Sequence, residues 1–395
     1  MKPRIAVIGA GVIGLSVARS LALRGAAVTV LDTGAIGAGT STTTYAWVNS
    51  NGKSPASYHR LNVEGMHEHR RLQAQGPGEA RWLEACGTVE WASSAAQIEQ
   101  LHKRAQALSA KGYAVQPGNR AELAARIPEL KLPGEAVPIW CFPDESLVCP
   151  TLFIAFLRSE ALRLGVTIRP RTPVTALAEH ASGVRLRLGD ASDWSDDFDF
   201  AVSAAGRWTA PLLATLGVEL AMVDANLPGR VGCGFLGYTA PAPIQLRSNL
   251  ITSEINIRPD GGGRLILQVL DLDHLADPSR PVPADGDIAR HMLARLGQVM
   301  HQSEGVQIER IAVGQRSRPA DGLPAVGFVT DRQRVYVVAT HSGITLAPAL
   351  GPLVAGELLQ GSGSPLLEDY RPGRLIGKAS GDFAPIATNH FPAAQ

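Results

Sequence analysis

The chain has 395 residues, 45% of them hydrophobic, and a formal net charge of +1, enough to bury a large core in about two or three domains. So even a balance gives no global field to draw in nucleic acid or an anionic membrane, and the longest apolar runs fall well short of the ~18 residues of a membrane span. The four cysteines, Cys86, Cys141, Cys149 and Cys233, show no CxxC spacing and read as buried reduced thiols, and no histidines have ligand-spaced partners for a metal.

Ile5–Ile8 is an apolar, β-branched run without polar alternation, which predicts a strand covered on both faces. A strand this near the N-terminus leaves no room for a cleavable signal peptide, so the cytoplasm is the expected compartment. Gly9-Ala10-Gly11-Val12-Ile13-Gly14 follows and opens a predicted helix over Val12–Leu23, capped by Gly25, before a second buried strand over Ala27–Leu31. Gly9 makes the tight turn, Gly11 lets a pyrophosphate approach the backbone, and Gly14 lets helix and strand pack closely. The unpaired N–H groups where the helix starts, around Val12 and Ile13, face the phosphates. Asp32, eighteen residues after Gly14, is placed to accept hydrogen bonds from a ribose and would repel a 2′-phosphate. Together these parts point to an ADP-containing dinucleotide, FAD or NAD.

The loop Thr33–Thr44 is rich in glycine and hydroxyls, and its Thr40, Ser41 and Thr42 suit a second clamp on phosphate or ribityl oxygens of a long cofactor. Tyr45–Lys53 places polar and aromatic groups just beyond it. Helices are predicted over Ser57–Gln75 (burying Leu61, Met66 and Leu72), Ala96–Ala110, Arg120–Ile127 and Thr151–Leu164, with a short strand at Tyr113–Val115. Val166–Arg169, Val174–Ala178, Val184–Leu188 and Phe198–Val202 read as strands of a small sheet, with Val174 among the cofactor contacts. The last of these strands runs into Ala204, Ala205 and Gly206, with Arg207 and Trp208 behind, where a ligand can approach the carboxyl edge of a sheet. From Leu220 to Val313, strand-like stretches (Val231–Tyr238, Asn249–Arg258, Arg264–Leu270) alternate with turns and are interrupted by a helix over Asp287–Met300. That change of character predicts an antiparallel substrate domain. A strand over Arg334–Ala339 returns to the α/β pattern, followed by His341–Pro348, a helix over Ala349–Leu359 and a loosely held tail.

In this order, the blocks resemble the D-amino-acid oxidase/glycine oxidase family of FAD-dependent amine and amino-acid oxidoreductases. The likeness is carried by the Gly9–Gly14 fingerprint with Asp32, by Gly37–Ser41, and by Pro143-Asp144-Glu145 before the Thr151–Leu164 helix. It continues in Ala204–Trp208, in Gly314-Gln315-Arg316 with Asp321-Gly322-Leu323-Pro324, and in His341-Ser342-Gly343 with Leu346-Ala347-Pro348. The resemblance implies an α/β protein: a Rossmann-type FAD-binding domain with an inserted antiparallel β-rich (α+β) substrate domain. The corresponding segments are 1–50, 140–218 and 311–377 for the cofactor, 51–139 and 219–310 for the substrate or cap domain, and 378–395 for the tail. It also implies FAD that accepts a hydride from the carbon bearing the amine. Alongside Gly9–Gly14 and Asp32, the cofactor set then includes Ser342, Gly343, Ile344, Thr345 and Leu346 beneath the flavin.

A helix that follows this glycine-containing turn can point its positive end at the flavin edge that gains charge on reduction. Arg316 suits bidentate binding of a substrate carboxylate, with Arg318 and Arg258 as alternatives, and Asn256 and His341 complete the expected substrate and catalytic group. Two departures stand out. Ser317 and Arg318 follow Arg316 where the family commonly has proline, and Glu254, Asn256 and Arg258 surround the position of the tyrosine found in glycine oxidase-like proteins. The second departure argues for a larger or more polar amine than glycine or D-alanine. Neither His nor Cys occurs in Gly37–Thr44 or around Arg316, so FAD is expected to be non-covalent; Lys53 and His59 read as solvated surface residues. The expected reaction is oxidation of an amino acid or related amine to an imine that water hydrolyses, with oxygen or another acceptor taking the electrons. FAD-dependent oxidation of a hydroxy acid, an NAD-dependent dehydrogenase and a flavin-binding subunit of a hetero-oligomeric dehydrogenase remain as alternatives, and oligomeric state is open.

Overall fold

The computed structural model describes residues 2–76, 81–189, 193–195, 197–229 and 231–386, so the end of the expected tail lies outside the described residues. A six-stranded sheet lies at the centre of the first layer, in the order Ala325–Phe328, Val335–Ala339, Phe200–Ser203, Arg4–Ile8, Ala27–Leu31, Thr167–Arg169. All neighbours are parallel except the first pair. Ile5, Ala6 and Val7 are fully buried, as a strand covered on both faces requires. Ile8 pairs in register with both Leu31 and Ser203. The three strands therefore leave the sheet at one carboxyl edge, which brings Gly9, Asp32 and Ala204 together.

Eight α-helices occur among the described residues: α1 (Val12–Leu23), α2 (Ala56–Gln75), α3 (Ala95–Ser109), α4 (Arg120–Arg126), α5 (Pro150–Arg163), α6 (Thr209–Ala214), α7 (Asp287–Val299) and α8 (Gly343–Gln360). No helix among the described residues is long and apolar enough to cross a membrane. A Cβ on Gly14 would lie 1.9 Å from the Gly9 carbonyl oxygen, so only glycine lets α1 close onto the turn that precedes it. Leu15, Val17, Ala18 and Leu21 of α1 are buried, and Leu21 shares a core with Leu346, Leu350 and Val354 of α8.

The second layer is an eight-stranded sheet in the order Ile308–Gln315, Cys233–Thr239, Leu265–Gln268, Asn256–Pro259, Asn249–Ile251, Thr88–Glu90, Trp140–Phe142, Gln116–Pro117. It is antiparallel apart from the Asn249–Ile251/Thr88–Glu90 pair. α7 contributes Met292 and Leu296 to its core.

Several expectations change. Thr167–Arg169 and Phe200–Ser203 belong to the central parallel sheet, and only Val174–His180 and Gly183–Leu188 form a separate two-stranded ribbon. Asn249–Arg258 is a hairpin, because the Thr252 hydroxyl accepts the N–H groups of Glu254 and Ile255 and turns the chain. Tyr113–Val115 is not a strand; Tyr113 is buried and its hydroxyl donates to Glu145. The last helix begins at Gly343, six residues before the expected Ala349, and carries Pro348 and Pro352 inside it. Proline lacks the N–H that would reach back four residues. The Ile344 carbonyl left without that donor accepts instead from His69 Nε2 of α2 at 2.7 Å. Burial lowers the His69 pKa to about 4, so the ring is neutral. All four cysteines are free, with Cys233 buried and the other three only half-buried.

Candidate active site

A cleft of about 690 Å³ opens at the carboxyl edge of the parallel sheet and extends to the antiparallel sheet. This size falls within the ~300–1,000 Å³ range of cofactor and ligand sites. At one end lie Gly9, Gly11, Val12, Ile13 and Asp32. Asp32 Oδ2 accepts the Ala10 N–H at 2.6 Å and Oδ1 the Gly34 N–H at 2.7 Å, so the carboxylate both faces the cleft and braces the glycine turn. No acidic residue occupies the first turn of α1 and its N-cap is Gly11, which leaves its positive end for an anion. Ser41 Oγ accepts the Val12 N–H at 3.1 Å, and a Cβ on Gly11 would lie 2.8 Å from that oxygen. Glycine keeps this floor open. Thr40 lines the cleft, and its hydroxyl donates to the Gln315 carbonyl at 2.6 Å, tying the loop to the antiparallel sheet.

Val174, Ala205, Gly206 and Trp208 line the middle, with the Arg207 guanidinium 3.7 Å from the Trp208 ring centroid. Ser342, Gly343, Ile344 and Thr345 line the far end and form the first turn of α8. Ser342 Oγ is 2.7 Å from the Tyr58 hydroxyl. Three expected cofactor residues stand behind the lining. Gly14 packs against Gly9, Thr42 donates to the Gly37 carbonyl at 2.9 Å, and Leu346 is fully buried.

At the far end, Lys53, Arg316 and His341 line the cleft. Lys53 and His59 are not solvated surface groups. Burial and the Arg318 charge bring the Lys53 pKa down to about 8, and His59 is buried with Nδ1 2.8 Å from Ser50 Oγ. Burial, then Arg318, Lys53 and Arg316, hold His341 well below the usual histidine range, so its imidazole is neutral. Burial and Arg316 lower Arg318 to about 10. The one acidic side chain lining the cleft among the described residues is Asp32, at the opposite end.

Asn256 does not line this cleft; its amide donates to Gln268 Oε1 at 3.2 Å, and it is Gln268 that reaches the cleft. Arg258 is buried and donates to Asp260 at 2.8 Å and to the Val148 carbonyl at 3.3 Å. Arg316 does face the cleft, and its Nη2 donates to Asp273 Oδ2 at 2.8 Å. Trp47 is a further wall, held by its Nε1–H to Glu145 Oε2 at 2.9 Å. Glu145 also accepts from Tyr113 at 2.9 Å, and burial raises its pKa to about 8. A lone polar residue closing the apolar run Leu265–Leu267 is a readable signal for Gln268; Trp47 and Glu145 fall in the segments Tyr45–Lys53 and Pro143–Glu145 that the sequence marks, but nothing in the sequence links the two to each other.

A sheet-edge cleft with two helix N-termini and a hydroxyl-lined loop between them defines a dinucleotide-dependent oxidoreductase, and the loop and α8 extend it beyond an ADP moiety. Residues 4–356 match the family model described as DAO, FAD dependent oxidoreductase, and the chain belongs to that family. FAD is its cofactor. A glycine oxidase of Geobacillus kaustophilus (strain HTA426) is 25% identical over 361 residues, covering 89% of this chain and 91% of the relative. The crystal structure of glycine oxidase from Geobacillus kaustophilus superposes with a TM-score of 0.80 at 23% identity, over 95% of this chain and 100% of that one. L-proline dehydrogenase from P. horikoshii gives 0.79 at 18% identity, over 94% and 97%. L-amino acid deaminase from Proteus vulgaris with the deletion of its specific insertion sequence gives 0.76 at 20%, over 93% and 92%.

Proposed function

We propose that this FAD-dependent oxidoreductase oxidises the C–N bond of an amino acid or related amine, giving an imine that water hydrolyses. The observation that carries this reading is the far end of the cleft, where Lys53 lines the wall beside a neutral His341, the Arg318 charge acts on both, and no carboxylate lines the wall. Positive surroundings disfavour a substrate ammonium and favour the neutral amine, whose nitrogen lone pair assists loss of a hydride from the adjacent carbon. FAD, when bound, would supply the oxidising power as acceptor of that hydride.

The chain's own residues bind and orient. The α1 N-terminus and the Ser41 loop hold phosphates, and Asp32 holds the adenosine ribose. The first turn of α8 adds positive potential where negative charge develops. Trp47, Leu236 and Gln268 wall the substrate space. Neutral His341 can accept or donate a hydrogen bond to the amine without adding charge, and Arg316 bounds the substrate end. No histidine or cysteine stands in Gly37–Thr44 or at 314–318, which supports non-covalent FAD. Oxygen or another acceptor would take up the electrons. Anaerobic screening of the FAD-loaded enzyme against primary and secondary amines, amino acids and 2-hydroxy acids tests the proposal. An amine or amino acid should bleach the flavin; bleaching by hydroxy acids alone would overturn it.

A further inference from the structure

Arg316 is the one arginine lining the cleft among the described residues, and the protein itself provides it with a carboxylate. Its Nη2 donates to Asp273 Oδ2 at 2.8 Å and its Nη1 to the Cys233 carbonyl. Asp273 is only 1% exposed, and its other oxygen accepts the Phe235 N–H at 2.9 Å. The pair closes over Gly234, where a Cβ would lie 2.5 Å from both Arg316 Nη2 and Asp273 Oδ2. Any side chain at 234 would wedge the two apart. Asp273 comes from the segment Leu270–Leu275, outside the cleft lining, whereas Arg316 directly follows the strand Ile308–Gln315 and lines the cleft.

We infer that Asp273 is an internal carboxylate that occupies Arg316 in place of a substrate carboxylate, and so sets specificity toward amines that carry no carboxylate at this position. A second carboxylate brought to Arg316 must either stack its charge against Asp273 or displace it. Both routes are costly. Like charges a few ångströms apart in a poorly solvated cleft repel strongly, and a displaced Asp273 would remain buried without its counter-ion. The ion pair thus lets a cationic side chain shape the substrate end while cancelling its pull on carboxylates. This deepens the amine-oxidation reading and rests on it for the meaning of specificity.

Calorimetry on the FAD-loaded enzyme with benzoate, and with its neutral isostere benzamide, separates the two ideas, because neither probe needs turnover. In the wild-type protein, benzoate should bind no more than fivefold more tightly than benzamide. Asp273→Asn removes the charge but keeps the shape and should tighten benzoate at least tenfold while leaving benzamide unchanged. Adding Arg316→Leu to that variant should return benzoate to its wild-type affinity. A larger preference for benzoate in the wild type overturns the inference, and that arm needs no variant to fold. Unchanged benzoate affinity in a folded Asp273→Asn protein overturns it equally, and marks the pair as scaffold only. Either failure leaves flavin bleaching by amines, and with it the proposed reaction, untouched.

Discussion

Replacing Asp32 by alanine probes the cofactor end, where one carboxylate has two tasks. Its oxygens accept the Ala10 and Gly34 N–H groups at 2.6 and 2.7 Å while it lines the cleft. In the proposed role of ribose acceptor it would contribute a charge-assisted hydrogen bond, worth about 1.5–3 kcal/mol, so the FAD dissociation constant should rise roughly 10- to 150-fold. The two backbone donors lose their acceptor in the same variant. The apoprotein should therefore also melt lower, which a ribose contact alone would not produce. Asp32→Asn keeps one acceptor oxygen and should fall between the two in both measurements. Titration of apoprotein with FAD, followed by flavin fluorescence, gives the affinity, and calorimetric melting of the apoprotein gives the second effect. Unchanged FAD affinity in Asp32→Ala would remove the residue from the site, and unchanged apoprotein melting would refute its bracing role.

Gly11→Leu should fold, because the nearest atom to its Cβ is the movable Ser41 Oγ, yet fail to load FAD; Gly14→Ala should destabilise the apoprotein, because its Cβ meets the Gly9 carbonyl. Both are read by visible absorbance and melting. Glu145 has a folded-state pKa raised by burial from 4.5 to about 8, so the folded state binds the extra proton and stability falls as pH rises from about 4.5 to 8. Glu145→Gln should flatten that decline, and melting curves that keep the wild-type slope would contradict it. Lys53→Met removes a positive charge from the cleft and should raise the apparent pKa of the bound substrate amine by roughly one unit, visible in the pH profile of flavin reduction. Arg316→Leu should cost about 3–5 kcal/mol of stability by stranding buried Asp273, measured by denaturant melts.

How legible the molecule was in its sequence differed by region. The strand-turn-helix-strand of Arg4–Asp32 could be read nearly to the residue, because every glycine in it answers a local steric demand. α8 was misplaced because Pro348 is a strong local stop signal, and what cancels it, the His69 bond to the Ile344 carbonyl, comes from a helix 275 residues away. The strands Thr167–Arg169 and Phe200–Ser203 were assigned to the wrong sheet, since pairing is non-local and their apolar runs fit either. At the site, Arg316 and His341 were found from chain motifs, but the Asp273 partner lies 43 residues upstream of Arg316 with no pattern linking them. Lys53 reads as a surface lysine in any window of sequence; it lines the cleft because the segment from Tyr45 to Lys53 runs along it, with Tyr45 and Trp47 packed against the antiparallel sheet.

The most direct test of amine oxidation is single-turnover, anaerobic mixing of the FAD-loaded enzyme with a bleaching amine and its analogue deuterated at the carbon bearing nitrogen. Flavin reduction should be slower for the deuterated amine, and the acid-quenched mixture should contain the carbonyl compound that follows imine hydrolysis. Absence of bleaching by every amine and amino acid, with reduction by a 2-hydroxy acid instead, would contradict the account.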